Sequence, residues 1–377
     1  PDRNAPKTRI DKLLLVLVIL LLCVYLGIFF SLNMFKYTQH VDSDIAAEAL
    51  LGREIWLSKD LTPDTWISST ERRVVSVPMV ASVFYGITGS MTFSMGLACV
   101  LCGALVLLSF AFMLKSCHVS SSGILLALLA ICALPINSLI NDGQMVPFFT
   151  LLIFLFAEYY AFHCIFLFLC ITFYMKLLQD QGDLQPQKRF VRIACWLFLL
   201  CFCAGLSLGG MRCLQVVLLP LAVCEALILL HESSLLHHPI PKKRLIPSFF
   251  IFSLLAVGLL AKLYPTNVDY PVYLQDAKGI ISRLTDTVPT AILKCLGIDG
   301  NCRVNSFAAL MQLGIIAFGV LMAYGLLILF GKKSAPDELR PDFSQKYVLW
   351  ALLSSFLLTV FIEIITTAAA MEYYFFT

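Results

Sequence analysis

Apolar residues run unbroken but for single small positions from Leu13 to Leu32, about 20 residues, and comparable runs recur along the whole chain. They fall at roughly 91–114, 122–140, 158–178, 190–208, 213–231, 246–264, 307–330 and 347–370. A helix of about 20 residues rises far enough to cross a hydrocarbon core of roughly 30 Å. With the first run this pattern predicts nine transmembrane helices, hence an all-α polytopic integral membrane protein. Residues 1–377 read as a single transmembrane domain with two long loops, at about 33–90 and 265–306.

The first of those loops breaks the hydrocarbon pattern. Between Lys36 and Ser90 stand Asp42, Asp44, Glu48, Glu54, Asp60, Asp64 and Glu71, with Arg53, Arg72 and Arg73. Ile45, Ala46, Ala49, Leu50, Trp56 and Leu57 recur near helical spacing among them, which predicts an amphipathic interfacial helix. Ser68-x-x-Glu71 before an apolar run has the form of a capping box. It predicts a second short helix from there to about Pro78 or Gly86.

Composition supports the membrane class. Of 377 residues 59% are hydrophobic and only 14% charged, where soluble domains average about 25% charged, and the mean hydropathy is +0.87. The formal net charge of +3 gives no basis for nucleic-acid binding. The positions of the cations are more informative. Alternating the nine spans puts 16 of the 27 Lys and Arg, including every short-loop cluster, on the side of the N-terminus. Those clusters are Arg3, Lys7, Arg9 and Lys12; Lys176, Lys188, Arg189 and Arg192; Lys242, Lys243 and Arg244; and Lys332, Lys333, Arg340 and Lys346. The basic bias of short loops makes that side cytoplasmic. A cleaved signal peptide is the rival for the first run, but the run is long and no small-x-small site follows it. We expect a multi-pass protein of the plasma membrane, bacterial in character, although the same rules hold in the endoplasmic reticulum. Starting at Pro1 and stopping in the aromatic run Tyr373-Tyr374-Phe375-Phe376, the sequence is also expected to belong to a longer protein.

Most of the 14 cysteines lie in apolar runs, Cys99 and Cys102 among them, and read as small hydrophobes. Cys295 and Cys302 flank a polar stretch of the second long loop and are the one candidate disulfide. The cytoplasmic loops are short and no phosphate-binding glycine loop appears, so an activated donor is expected from the membrane.

Candidate chemistry concentrates in the outer segments. Asp42 and Asp44 precede the interfacial helix, and one N-cap needs only one carboxylate. They read either as cap and neighbour or as a base and metal ligand. Glu71 reads as a capping residue or a site acid. Arg72 and Arg73 oppose the dipole of the helix they would start, which suits an anionic partner such as a lipid phosphate. Arg212, after Gly209-Gly210, sits at the outer mouth of a span, where it can snorkel or bind phosphate. Asp142 lies in an outer turn, and Glu158, Tyr159 and His163 lie in the outer part of a span. They read as the lining of a wet cavity or as partners of neighbouring helices. Glu225 and Glu363 are intramembrane acids with no partner evident in sequence.

His40-Val41-Asp42-Ser43-Asp44, Trp66-Ile67-Ser68-Ser69-Thr70-Glu71-Arg72, Asn141-Asp142-Gly143 and Gly209-Gly210-Met211-Arg212, on this layout, resemble the GT-C class. These are polytopic glycosyltransferases using polyprenyl-phosphate sugars, such as the dolichyl-phosphate-mannose mannosyltransferases. The resemblance implies transfer of a sugar to a glycan, lipid or protein acceptor on the outer side, with Asp42 or Asp44 as base. It implies an inverting single displacement, with the leaving phosphate held by Arg212 or by Arg72 and Arg73. Some members use a divalent metal, Mg or Mn, and Asp42, Asp44 and Asp142 are the candidate ligands here. The place of an Arg-Tyr-type motif after a late span reads Met371-Glu372-Tyr373-Tyr374, without the Arg.

Two other functions fit parts of the pattern. A transporter or glycan-lipid flippase would use Glu225, Glu363, Gly209-Gly210 and Pro220 in broken helices. An O-antigen polymerase or ligase would use arginines of a later outer loop, here Arg283 and Arg303.

Overall fold

The structure is a computed structural model that describes residues 9–39, 41, 43–66, 74–136, 154–156, 158–179, 186–232, 242–263, 274–287 and 343–365. The described residues form 11 α-helices in an all-α chain. They divide into two compact units, one spanning Pro6–Pro271 and one comprising Pro1–Ala5 with Val272–Thr377.

Helix α1 (Arg9–Phe35) opens the first unit. Only 6% of its apolar window is buried, so nearly all of its hydrocarbon surface faces outward. A patch of that size on a soluble protein would drive association; against lipid tails it is at rest. Five described helical stretches are long and apolar enough to cross a membrane: Leu13–Phe35, Met91–Ser116, Ala161–Gln179, Gln187–Gly209 and Lys243–Ala261.

The predicted interfacial helix is α2 (Ser43–Ser58). Its buried stripe is Ile45, Ala49, Gly52 and Ile55, together with Leu51. Leu50, Trp56 and Leu57, expected on the same apolar face, are exposed instead. Spacing by three and four from Ile45 reaches Ala49, Gly52 and Ile55, while Leu50 and Leu57 fall on the far side. Helix α3 (Val77–Thr88) lies along α2. A Cβ on Gly52 would come within 3.1 Å of Pro78 O, and one on Gly86 within 2.4 Å of the Trp56 indole. The two helices therefore run side by side in the same sense, in close approach at Gly52, with the Trp56 ring against Gly86.

The second loop helix departs from the capping-box expectation. It starts at Val77 after Ser76, with Pro78 in its first turn, and ends at Thr88 with Gly89 left-handed at φ 67°. Proline lacks the N–H that a first turn leaves unused, so Pro78 opens this helix rather than closing one. Residues 67–73, and with them Ser68 and Glu71, lie outside the described residues.

Helix α4 (Met91–Ser116) is the central strut, packed against α3, α1 and the later helix α6 (Ala161–Gln179). Cys99 and Cys102 are fully buried on it as free thiols, in keeping with their reading as small hydrophobes. Gln179 donates to Ser116 O at 3.1 Å, so the last turns of α4 and α6 meet at one end of the bundle. The C-terminus of α1 meets the opposite end of α4, because a Cβ on Gly96 would stand 2.2 Å from Asn33 O. These ties fix α1 antiparallel to α4, and α4 parallel to α6.

Helix α5 (Ser121–Ile136) covers most of the predicted span at 122–140, whose last residues, 137–140, lie outside the described residues. Helix α7 (Pro186–Gly209) ends at the glycine pair. A π-helical turn, Leu214–Leu218, then leads into α8 (Leu219–Glu232). Pro220 has no N–H to bond Val216 O, and the widened turn before it accommodates its ring. Helix α9 (Lys242–Ala261) packs on α7, α6 and α8.

In the second unit, α10 (Ala277–Ser282) is capped by Asp276, whose side chain accepts from Gly279 N. Helix α11 (Phe343–Ile365) runs 23 residues, and Gln275 N donates to Ile365 O at 2.8 Å. The predicted span at 307–330 and the candidate disulfide Cys295–Cys302 lie outside the described residues.

Candidate functional site

The end of the bundle that carries Asn33 also gathers several of the polar residues singled out above. Its organising piece is the short segment 154–160, which leads into α6. Asn33 is 1% exposed and clips that segment with both ends of its amide. Its Nδ2 donates to Phe154 O at 3.0 Å and its Oδ1 accepts from Phe156 N at 2.9 Å. Phe29 stacks on Phe154 at 5.3 Å beneath the clip. Phe156 and Glu158 both hold left-handed backbone, at φ 57° and 46°. Such conformations cost non-glycine residues about 1–3 kcal/mol each and persist where the surroundings impose them.

The clip aims Glu158 inward. Its side chain lies 1% exposed against α4, where a Cβ on Gly103 would come within 3.2 Å of Oε1. Neither carboxyl oxygen has a hydrogen-bond partner among the described residues. Burying a carboxyl in this state is energetically expensive. Glu48, from α2, approaches the same region, since it and Glu158 both act electrostatically on Cys99.

Two contacts tie the loop helix and the basic side to this segment. Tyr37 packs edge-on against Phe156 at 6.1 Å, and its hydroxyl donates to Ile45 O at 3.4 Å. Asp44, one residue before Ile45, is exposed in the first turn of α2, where a carboxylate favours the helix dipole. On the other flank, the Arg212 guanidinium lies over the Tyr160 ring at 4.9 Å, a cation–π contact. Tyr160 also meets His163 edge-on at 5.7 Å. The carboxyl groups of Asp44, Glu48 and Glu158 and the cation of Arg212 therefore belong to one end of the bundle.

The far edge of the acidic loop returns to that same end. A Cβ on Gly205 would stand 2.5 Å from Val75 Cγ2, so Val75 seats on α7 one turn before Gly209. Of the sequence-predicted site residues, Asp44, Glu158, His163 and Arg212 are thus brought to one end. Asp42, Glu71, Arg72, Arg73 and Asp142 lie outside the described residues. Among the described residues no group of three or more His, Cys, Asp or Glu is placed to hold a metal ion. Asn33, Tyr37 and Tyr160 were not anticipated as site residues. A lone Asn at the end of the first apolar run was the available signal.

Glu225 finds its partners at the opposite end. It is fully buried, accepting from Tyr174 Oη at 2.5 Å and from Ser248 Oγ at 2.6 Å. Arg244 Nη1 donates to the same Tyr174 hydroxyl at 3.0 Å. This network joins α6, α8 and α9 and is a structural tie. In the second unit, Gln275 turned to satisfy its amide accepts from Arg283 Nη2 at 3.0 Å and Nε at 3.1 Å. Arg303 and the side chain of Glu363 lie outside the described residues. No known protein family, curated protein or solved structure matches this chain, and the chemistry of the site rests on its own residues.

Proposed function

We propose that the chain is a membrane glycosyltransferase that moves a sugar from a polyprenyl-phosphate donor to an acceptor hydroxyl outside the membrane. The observation that carries this reading is the bridging segment 154–160. It links the Asp44 end of α2, through Tyr37 and Phe156, to Arg212, through Tyr160. A carboxylate and a guanidinium on one end of a bundle supply the two charges that an inverting displacement needs. The carboxylate takes the acceptor proton as the hydroxyl attacks the anomeric carbon. The guanidinium meets the charge that develops on the departing phosphate oxygen. Asp44, or Asp42 two residues earlier, is the base in this reading, and Arg72 and Arg73 reinforce Arg212. Glu158 and His163 line the inner side. With the N-terminus on the cytoplasmic side, as the basic clusters suggest, α1 would carry this end outside, where lipid-linked donors are presented.

The test is sugar transfer from a radiolabelled polyprenyl-phosphate donor in membranes holding the chain in its full-length protein. Wild type is compared with Asp42→Asn, Asp44→Asn and Arg212→Gln at equal expression, with and without chelator. Loss of transfer in one Asp variant and in Arg212→Gln supports the reading, and loss with chelator adds a metal. Transfer at the wild-type rate in both Asp variants removes them as base. A second reading, a proton-coupled transporter, is favoured by the carboxyl of Glu158, buried and without a hydrogen-bond partner among the described residues. It predicts no transfer by wild type, and substrate uptake that fails in Glu158→Gln.

A further inference from the structure

Away from the Glu158 and Arg212 end, a groove of about 530 Å³ opens between the last turns of α6 and the first turns of α7. Its inner wall is apolar, formed by Phe173, Leu177, Val191, Cys195, Phe198 and Leu199. Its rim holds three cations, Lys176, Lys188 and Arg192. Lys188 stands in the first turn of α7, where the helix dipole adds to the positive field. Val191, Cys195 and Phe198 are exposed, so the wall lies open along the lipid-facing side of the bundle.

A soluble anion would satisfy the rim and leave the apolar wall bare. A zwitterionic lipid would cover the wall and bring its own cation to a rim that already holds three. We propose that the groove binds one anionic phospholipid of the bilayer, its phosphate at Lys176, Lys188 and Arg192 and one acyl chain along Phe173, Val191 and Phe198. Basic pockets between spans near the polar boundary recognise anionic headgroups in this way. The groove lies at the opposite end of the bundle from the proposed transfer site, and the inference does not depend on that function. Occupancy would fill the cleft between α6 and α7 close to the Gln179–Ser116 tie.

The test is native mass spectrometry of the detergent-purified chain, titrated with phosphatidylglycerol in competition with phosphatidylcholine. Each cation near a phosphate contributes roughly a fivefold preference, so wild type should favour phosphatidylglycerol on the order of 100-fold. Lys176→Gln/Lys188→Gln/Arg192→Gln should lose that preference, and Arg189→Gln, which leaves the rim intact, should keep it. Cys195→Trp fills the wall without touching a charge and should weaken binding while the protein stays monodisperse. Equal preference in wild type and the triple variant would overturn the proposal. So would unchanged binding by Cys195→Trp, which would mean surface attraction outside the groove. Selection of a polyprenyl phosphate over phosphatidylglycerol by wild type would overturn the assignment of the occupant.

Discussion

The Tyr174 hydroxyl donates to the Glu225 carboxylate at 2.5 Å, joining two fully buried residues on α6 and α8. The same oxygen accepts from Arg244, so one phenol stands between an anion and a cation in the bundle interior. A carboxylate is tolerated there because Tyr174 and Ser248 satisfy it from two other helices. Intramembrane acids invite a functional reading; for Glu225 the geometry supplies a structural one.

Tyr174→Phe therefore removes a donor from Glu225 and an acceptor from Arg244 while keeping the ring. Hydrogen bonds to charged groups contribute about 1.5–3 kcal/mol, and the variant should lose that much stability. Thermal unfolding in detergent reads the change. Ser248→Ala should lose less, because it leaves the Arg244 side untouched. A wild-type Tm for Tyr174→Phe would mean that the network bears no strain of folding.

Asn33→Leu tests the clip. It strands Phe154 O and Phe156 N in an apolar site, at about 1–3 kcal/mol for each unsatisfied buried group. The expected result is a lowered Tm and faster proteolysis at 154–160. Sugar transfer should fall with it, since Tyr37, Tyr160 and Arg212 are all positioned from this segment. Intact cleavage resistance in Asn33→Leu would show that the segment holds its shape without the clip.

Glu158→Gln should separate stability from activity. The carboxyl is buried with both oxygens unpartnered among the described residues, so replacing it with a neutral amide should hold or raise Tm. In the proposed reaction Glu158 lines the site and is not the base, so the same change should depress transfer by less than the roughly 10²–10⁴-fold that a positioned base supplies. A sharp drop in Tm would instead identify a structural partner for Glu158.

Gly96→Ala and Gly27→Ala form a matched pair. A Cβ at 96 would stand 2.2 Å from Asn33 O, whereas one at 27 meets nothing within 4 Å. Overpacking against backbone costs about 1–3 kcal/mol, while alanine in an open helix position gains about 0.5–1 kcal/mol. Opposite signs of ΔTm are expected. Equal behaviour would mean that α1 does not pack on α4 at Asn33.

The helix at 43–58 was legible because Ile45, Ala46, Ala49, Leu50, Trp56 and Leu57 recur near helical spacing, but which face turns inward was only half legible. Leu50 and Leu57 are as apolar as Ile45 and end up exposed, because α3 packs on the other side, through Pro78 and Ala81 against Gly52. The convergence of Glu158, His163 and Arg212 could be anticipated from their depth in consecutive spans. The clip by Asn33, 121 residues away from Phe154, could not. Nor could Glu225 be matched with Tyr174, 51 residues distant, from any local pattern.

Hydropathy is a property of each residue against lipid or water, and it sums along the chain. The sequence alone therefore determined that this protein is helical and built for a membrane, where its long apolar segments lie, and which loop concentrates charge. Between helices already in an apolar medium, burial no longer selects neighbours. Close approach at Gly52, Gly96 and Gly205, and the pairing of the few buried polar groups, make that choice. Those contacts exist only in three dimensions, so the tertiary structure alone decided that Glu225 is a strut, that Glu158 is buried against Gly103, and that Arg212 faces Tyr160.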